Sequence, residues 1–276
     1  MSEPTDPPPL VPGLPGLGRA PVLVTGGTGT LGTQVVAELV RSQVPARVLT
    51  RKASTATGSN QVEGDLATGD GLRDAVADVQ AVIHCASNQM HAQQVDVQGT
   101  RRLCEALAAV SPNARLVYIS IVGCWDNPLS YYQVKADTEA VVTSSGRPHA
   151  IVRATQFHEL VARLCNGARL GPLGIGLKGL RFASCDTAWV AARLVDVALD
   201  DAPPAGPVEL AGPETQSARD LAVLTAHVRG RRTPRILPLP PVGGAMKAFA
   251  AGSNLPGPGA QRGGRSYAEW LADQPA

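Results

Sequence analysis

In SYYQVKADTEAVV, Tyr131 and Lys135 stand four residues apart, so on a helix they share a face and their polar ends converge. An ammonium beside a phenol favours the phenolate and suits the phenol to proton transfer. Tyr132, only three residues from Lys135, is the less suitable phenol. Ser120, at the end of the apolar run ARLVYIS, could hydrogen-bond a substrate carbonyl. Ser120, Tyr131 and Lys135 are therefore the candidate catalytic set.

A second constellation is VLVTGGTGTLG, Val22 to Gly32. Its glycines Gly26, Gly29 and Gly32 have separate tasks. Gly26 lets the chain turn sharply off a strand, Gly29 removes a side chain where a pyrophosphate must approach, and Gly32 lets the next helix pack closely on the sheet. The main-chain N–H groups here, including those of Thr28, Thr30 and Leu31, then hold a diphosphate at the positive helix end. With 29 glycines in 276 residues, chance triplets are common. Context decides: a strand-like run precedes the triplet, Leu31, Val35, Val36, Leu39 and Val40 follow with helical spacing, and a second strand-like run spans Ala46 to Thr50.

The remaining cofactor contacts follow from the strand ends. At the end of the second run, the acid that accepts from the ribose hydroxyls of NAD is missing and Arg51-Lys52 stand there instead, which predicts NADP(H) over NAD(H). A solvated basic turn is the plain alternative. Asp65, followed by Leu66, could accept from the adenine amino group or simply cap a turn. Cys85-Ala86-Ser87, beyond Ala81-Val82-Ile83, are small enough to leave room for a ribose. Lys135 either orients the nicotinamide ribose alone, while Tyr131 packs, or serves chemistry with it.

These residues need rigid elements to hold them. By Ser120 the chain has alternated strand and helix four times, with helical segments at Leu72–Val76 and Val95–Val110, where Val97, Leu103, Leu107 and Val110 mark one face. Parallel strands joined by right-handed crossovers make the doubly wound α/β sheet the economical fold. Ala150 to Arg153 gives a sixth strand, after which Phe157 and His158 are candidate substrate-pocket residues; a lone histidine is otherwise structural or solvated. Arg169 to Ala183, rich in Gly and Leu, forms a lid or hairpin, and Asp186 caps the next helix. Val208-Glu209-Leu210, Ala218 to Val228 and Arg235 to Leu239 build a small C-terminal, substrate-side lobe, about residues 154–252. Met1 to Arg19, with six prolines, reads as a disordered tail, and residues 253–276 as a flexible connector and short terminal helix.

Composition narrows the classes. A hydrophobic fraction of 44% suits a globular core, and 4% aromatics make it mostly Val, Leu and Ala. A net charge of +2 with scattered arginines gives no nucleic-acid footprint. Five separated cysteines with no C-x-x-C pair, and five dispersed histidines, argue against a disulfide framework or a metal site. No leader-like or membrane-length apolar run is expected, so the expectation is a cytoplasmic monomer or homodimer acting on a small molecule.

TGGTGTLG, the Arg51-Lys52 strand end, GDL at Gly64 to Leu66, YISIVG at Tyr118 to Gly123, YYQVK and RATQFHEL at Arg153 to Leu160 together resemble the short-chain dehydrogenase/reductase superfamily, and within it the atypical NmrA-like, NAD(P)H-binding branch. The resemblance runs from about Val22 to Asp200, and weakly again over GGRSYAEWL. It implies a Rossmann-type core and the cofactor contacts above. Members of that branch resemble either reductases and quinone oxidoreductases, or cofactor-binding regulators and respiratory complex accessory subunits. Both a hydride-transferring oxidoreductase and a non-catalytic NADP(H) sensor are therefore implied. One departure is that Ser120 precedes Tyr131 by 11 residues, slightly fewer than in catalytic members.

Overall fold

A short, largely apolar run fits a central strand covered on both faces. Val22–Thr25 (β1) is such a strand, with all four residues buried. In this computed structural model, which describes residues 20–52, 60–167, 169–170, 173–202 and 204–274, β1 pairs with Ala46–Thr50 (β2), which is edged by Gln61–Glu63 (β3). On its other side lie, in turn, Ala81–His84 (β4), Arg115–Ile121 (β5) and His149–Ala154 (β6). Every one of these pairs is parallel. The winding reverses between β1 and β4, and a crevice opens beyond the carboxyl ends of these two strands.

Helices Thr30–Arg41 (α1), Leu72–Ala75 (α2), Gly99–Val110 (α3) and Ser130–Ser144 (α4) lie on the crossovers. Period-two alternation sorts the layers. Val22 and Val24 face one side with Leu31, Val35 and Leu39 of α1, whereas Leu23 faces the other with Leu103 and Leu107 of α3. Val110, expected on the apolar face, is exposed where α3 ends. A π-helical stretch, Gln93–Gln98, leads into α3.

The sheet is wider than the local patterns suggest. Val208–Ala211 (β7), expected in the small lobe, pairs parallel with β6, and Gln261–Arg262 (β8) pairs parallel with β7. The stretch expected as a flexible connector thus supplies the eighth strand of the main sheet. The lobe is built from His158–Gly167 (α5), Ala218–Val228 (α7) and Tyr267–Ala272 (α9), around Val161, Phe182, Leu221, Tyr267, Trp270 and Leu271. Thr187–Leu199 (α6) packs beside α1 on the sheet, and Gly244–Ala251 (α8) sets Phe249 against Cys124, Tyr132 and Ala136. Asp186 caps α6, accepting from Ala188 N at 3.0 Å and from Arg265 Nε at 2.6 Å. Leu173–Leu177 pairs antiparallel with Arg169–Leu170, in keeping with a hairpin, and parallel with Arg235–Leu239. The proline-rich tail lies outside the described residues. Among the described residues, no helix is long and apolar enough to cross a membrane.

Candidate functional site

The glycine turn follows the carboxyl end of β1 and borders the crevice. Gly26 has φ +66°, and a Cβ there would lie 2.7 Å from Ala86 N at the end of β4. A Cβ on Gly32 would fall on the carbonyl oxygen of Gly26. Both positions are glycine because the protein's own backbone requires it. Gly29 differs. It is the exposed, extended N-cap of α1, and a Cβ there would meet only the Gly26 oxygen, at 3.2 Å. That contact is milder than the ones at Gly26 and Gly32, so packing demands a bare position less strongly here. No side chain caps α1 and no acid stands in its first turn, so its leading N–H groups remain available to an anion. Thr28 and Thr30 are exposed, while Leu31 buries its side chain in the core and offers only its backbone. These residues fit a dinucleotide diphosphate.

Around the rim, Arg51 and Lys52 are exposed at the end of β2. Asp65 Oδ1 accepts from Ala67 N at 2.8 Å, a turn-forming bond, and Leu66 is buried against Gly99 at the start of α3. Cys85 and Ala86 are half-buried and Ser87 is exposed. Burial pushes the Cys85 thiol up to about 12, only partly countered by the Lys135 ammonium, so it is not a ready nucleophile.

Beneath the rim lies a buried polar network. Lys135 Nζ is 3.4 Å from Asp96 Oδ1, and both side chains are almost wholly buried. Asp96 also accepts from Ser87 Oγ at 2.7 Å and from Asn88 N at 2.9 Å. The Tyr131 hydroxyl lies 3.2 Å from Ser87 Oγ, so Tyr131, Ser87, Asp96 and Lys135 form one cluster at the end of β4. Burial works against the Lys135 ammonium, but the phenols of Tyr118 and Tyr131 and the Asp96 carboxylate hold it above the usual lysine range. Burial pushes the Tyr118 phenol up to about 12.

The network continues to β1. Thr25 Oγ1 is 2.6 Å from His84 Nδ1, His84 Nε2 is 2.8 Å from Thr100 Oγ1, and the Thr100 hydroxyl donates to the carbonyl of Asp96. With Thr100 donating onward, the consistent assignment is a neutral His84 with its proton on Nε2. Burial first, then the Lys135 ammonium, push His84 down to about 4, partly offset by Asp96. Sequence reasoning missed Asp96, His84 and Thr100. A lone acid inside the apolar stretch VDV was the available signal, because a buried carboxylate needs a partner.

Three expected site residues lie elsewhere. Ser120 is buried with its hydroxyl 3.8 Å from Cys124 Sγ, and it makes no bond to Tyr131 or Lys135. His158 is fully buried: Nδ1 is 2.9 Å from Ser184 Oγ, Nε2 is 3.0 Å from the Arg265 carbonyl, and the Tyr267 and Trp270 rings lie 5.5 Å away. It is a strut of the lobe, not a pocket residue. Phe157 packs against the main core and bridges to Cys185. The pocket beside Tyr131, about 470 Å³, is lined instead by Ser87, Gln89, Tyr131 and the α5 residues Leu160, Arg163 and Leu164. Tyr132 points away, its ring edge-on to Phe249, and burial pushes its phenol up to about 12.

Comparisons with known proteins bear on the family and the fold. The model of a family described as NAD(P)H-binding matches residues 26–198. A dTDP-6-deoxy-L-talose 4-dehydrogenase (NAD(P)(+)) of Kitasatospora kifunensis is 31% identical over 199 residues, which is 65% of this chain and 63% of that protein. The chain thus spans less than two thirds of that relative's length. Among solved structures, an NADPH-dependent quinone oxidoreductase of Escherichia coli complexed with NADPH superposes with a TM-score of 0.76 at 19% identity, covering 91% of this chain and 98% of that one. A short-chain dehydrogenase/reductase superfamily protein of Agrobacterium tumefaciens with bound NAD gives 0.65 at 22% identity, covering 81% and 87%. The solved structures bear out the Rossmann-type fold, and the family match bears out the NAD(P)H-binding resemblance.

Proposed function

The chain belongs to the NAD(P)H-binding family whose model it matches, and on that premise we propose that it is an NADP(H)-dependent oxidoreductase acting on a small, largely apolar carbonyl, enone or quinone. The observation that carries this reading is the position of Tyr131. Its hydroxyl is fixed by Ser87 at the end of β4, beside the glycine turn, and opens onto a pocket large enough for a small molecule.

In this reading the N–H groups from Thr28 to Gly32 hold the diphosphate, Arg51 and Lys52 meet the 2′-phosphate, and Asp65 faces the adenine. Cys85, Ala86 and Ser87 border the ribose, which Lys135 orients. The nicotinamide, when bound, supplies or accepts the hydride. Tyr131 gives a proton to the substrate oxygen during reduction and takes it back during oxidation. Ser87 sets the direction of the phenol, and Asp96 keeps the Lys135 ammonium in place without letting it swing into the pocket. Ser120, turned toward Cys124, takes no part. The names of the Escherichia coli and Kitasatospora proteins, a quinone oxidoreductase and a dTDP-6-deoxy-L-talose 4-dehydrogenase, support redox chemistry at a quinone or at an alcohol–carbonyl pair.

NADPH oxidation measured against a panel of aldehydes, ketones, enones and quinones tests the proposal. Tyr131→Phe is expected to lower kcat about 100-fold or more with NADPH affinity unchanged; full turnover in that variant removes Tyr131 from the chemistry. Arg51→Ala with Lys52→Ala is expected to weaken NADPH and leave NADH alone. One observation favours a second reading, a non-catalytic NADP(H) sensor: the Ser120 hydroxyl is not available to a substrate. That reading expects nucleotide binding with no oxidation of NADPH by any acceptor.

A further inference from the structure

The pocket wall on α5 has a composition that an uncharged substrate does not explain. Leu160, Arg163 and Leu164 are spaced i, i+3, i+4, so they form one face over a single turn of helix. The two leucines supply an exposed apolar strip. Between them stands a guanidinium that makes no ion pair or hydrogen bond among the described residues, in a pocket lined by no acid. The other lining groups, Ser87, Gln89 and Tyr131, are neutral and polar. A solvated arginine that merely lays its stem on the leucines is the plain alternative.

Building on the oxidoreductase reading, we propose that the substrate carries an acidic group, a carboxylate or a phosphate, and that Arg163 binds it. The apolar body then lies on Leu160 and Leu164 while the carbonyl or quinone oxygen reaches Tyr131. A guanidinium suits this task because its planar fork matches the oxygens of a carboxylate or phosphate. Arg163 is thus a specificity determinant for acidic over neutral substrates.

The test uses the whole protein loaded with NADPH and three naphthoquinones that differ only at the end of one alkyl side chain: a carboxylic acid, its methyl ester and a phosphate. Binding is measured by calorimetry and turnover by NADPH oxidation. For an exposed pair the expected preference of acid over ester is about fivefold in both Kd and kcat/KM, falling as salt is raised. In Arg163→Ala the ratio falls to about one, and in Arg163→Glu it inverts. Whichever of the acid and phosphate binds more tightly identifies the group. Equal binding of acid and ester by the natural protein overturns the proposal, as does a preference that survives in Arg163→Ala. A loss of NADPH affinity in Arg163→Ala also overturns it, by giving the arginine to the cofactor. If the Arg163-dependent preference is seen in binding but no quinone is reduced, the oxidoreductase reading fails and the acidic-ligand site stands. Equal turnover of acid and ester leaves the reading intact and removes this inference.

Discussion

Acidification should weaken the fold through one imidazole. His84 is fully buried, bonded at both nitrogens, and pushed down to about 4, whereas an exposed histidine titrates near 6.5. Between these values the unfolded chain binds a proton that the folded chain refuses. Stability therefore rises with pH across the window: it is full above about 6.5 and is lost progressively as pH falls toward 4. For this one group the loss from pH 7 to pH 5 comes to about 2 kcal/mol. Carboxylates titrate over part of the same range, so the comparison is with His84→Gln, which stays neutral. Urea unfolding at pH 7, 6 and 5 should show the stability gap between the natural protein and His84→Gln closing by about 2 kcal/mol. Parallel profiles, or an imidazole NMR titration with its midpoint near 6.5, would falsify the neutral, donor-to-Thr100 assignment.

Further perturbations separate the parts of the site. Asp96→Asn should cost about 3 kcal/mol by leaving a buried ammonium without its counter-charge, and adding Lys135→Met should recover most of that loss; additive losses in the double variant would show that the pair is not coupled. Gly29→Ala should change stability by less than about 0.5 kcal/mol yet weaken NADPH about tenfold, whereas Gly32→Ala should cost about 3 kcal/mol through its clash with the Gly26 carbonyl. Calorimetric melting and a nucleotide titration on both variants check this, and equal behaviour would remove the distinction between a glycine kept for packing and one kept for a ligand. Asp186→Ala removes an N-cap and the Arg265 partner together, so a loss of about 2 kcal/mol is expected in urea.

Much of the architecture could be read along the chain, because burial imposes a local rhythm. β2 runs from Ala46 to Thr50 and α7 from Ala218 to Val228, the bounds that apolar spacing suggests. Gly26 and Gly32 were legible for the same reason, as a strand-to-helix turn leaves few alternatives to glycine. What rhythm does not encode is the identity of a distant partner. Val208–Ala211 looks like any short strand, and only pairing with β6, more than fifty residues earlier, places it in the main sheet. Asp96 sits in a π-helical stretch, where the wider turn moves a residue off the face that 3.6-residue spacing assigns. His158 followed a strand end and so resembled a pocket residue, but Ser184, Arg265 and two rings from the far end of the chain enclose it.

The helix that lines the pocket leans on Tyr267 and Trp270, which leave the ribosome long after the glycine turn and Lys135. A nascent chain can therefore assemble its nucleotide crevice while the opposite wall still lacks its footing. A product that stops short of those two rings would leave Val161 and Ala162 of α5 without the aromatic surface they pack on.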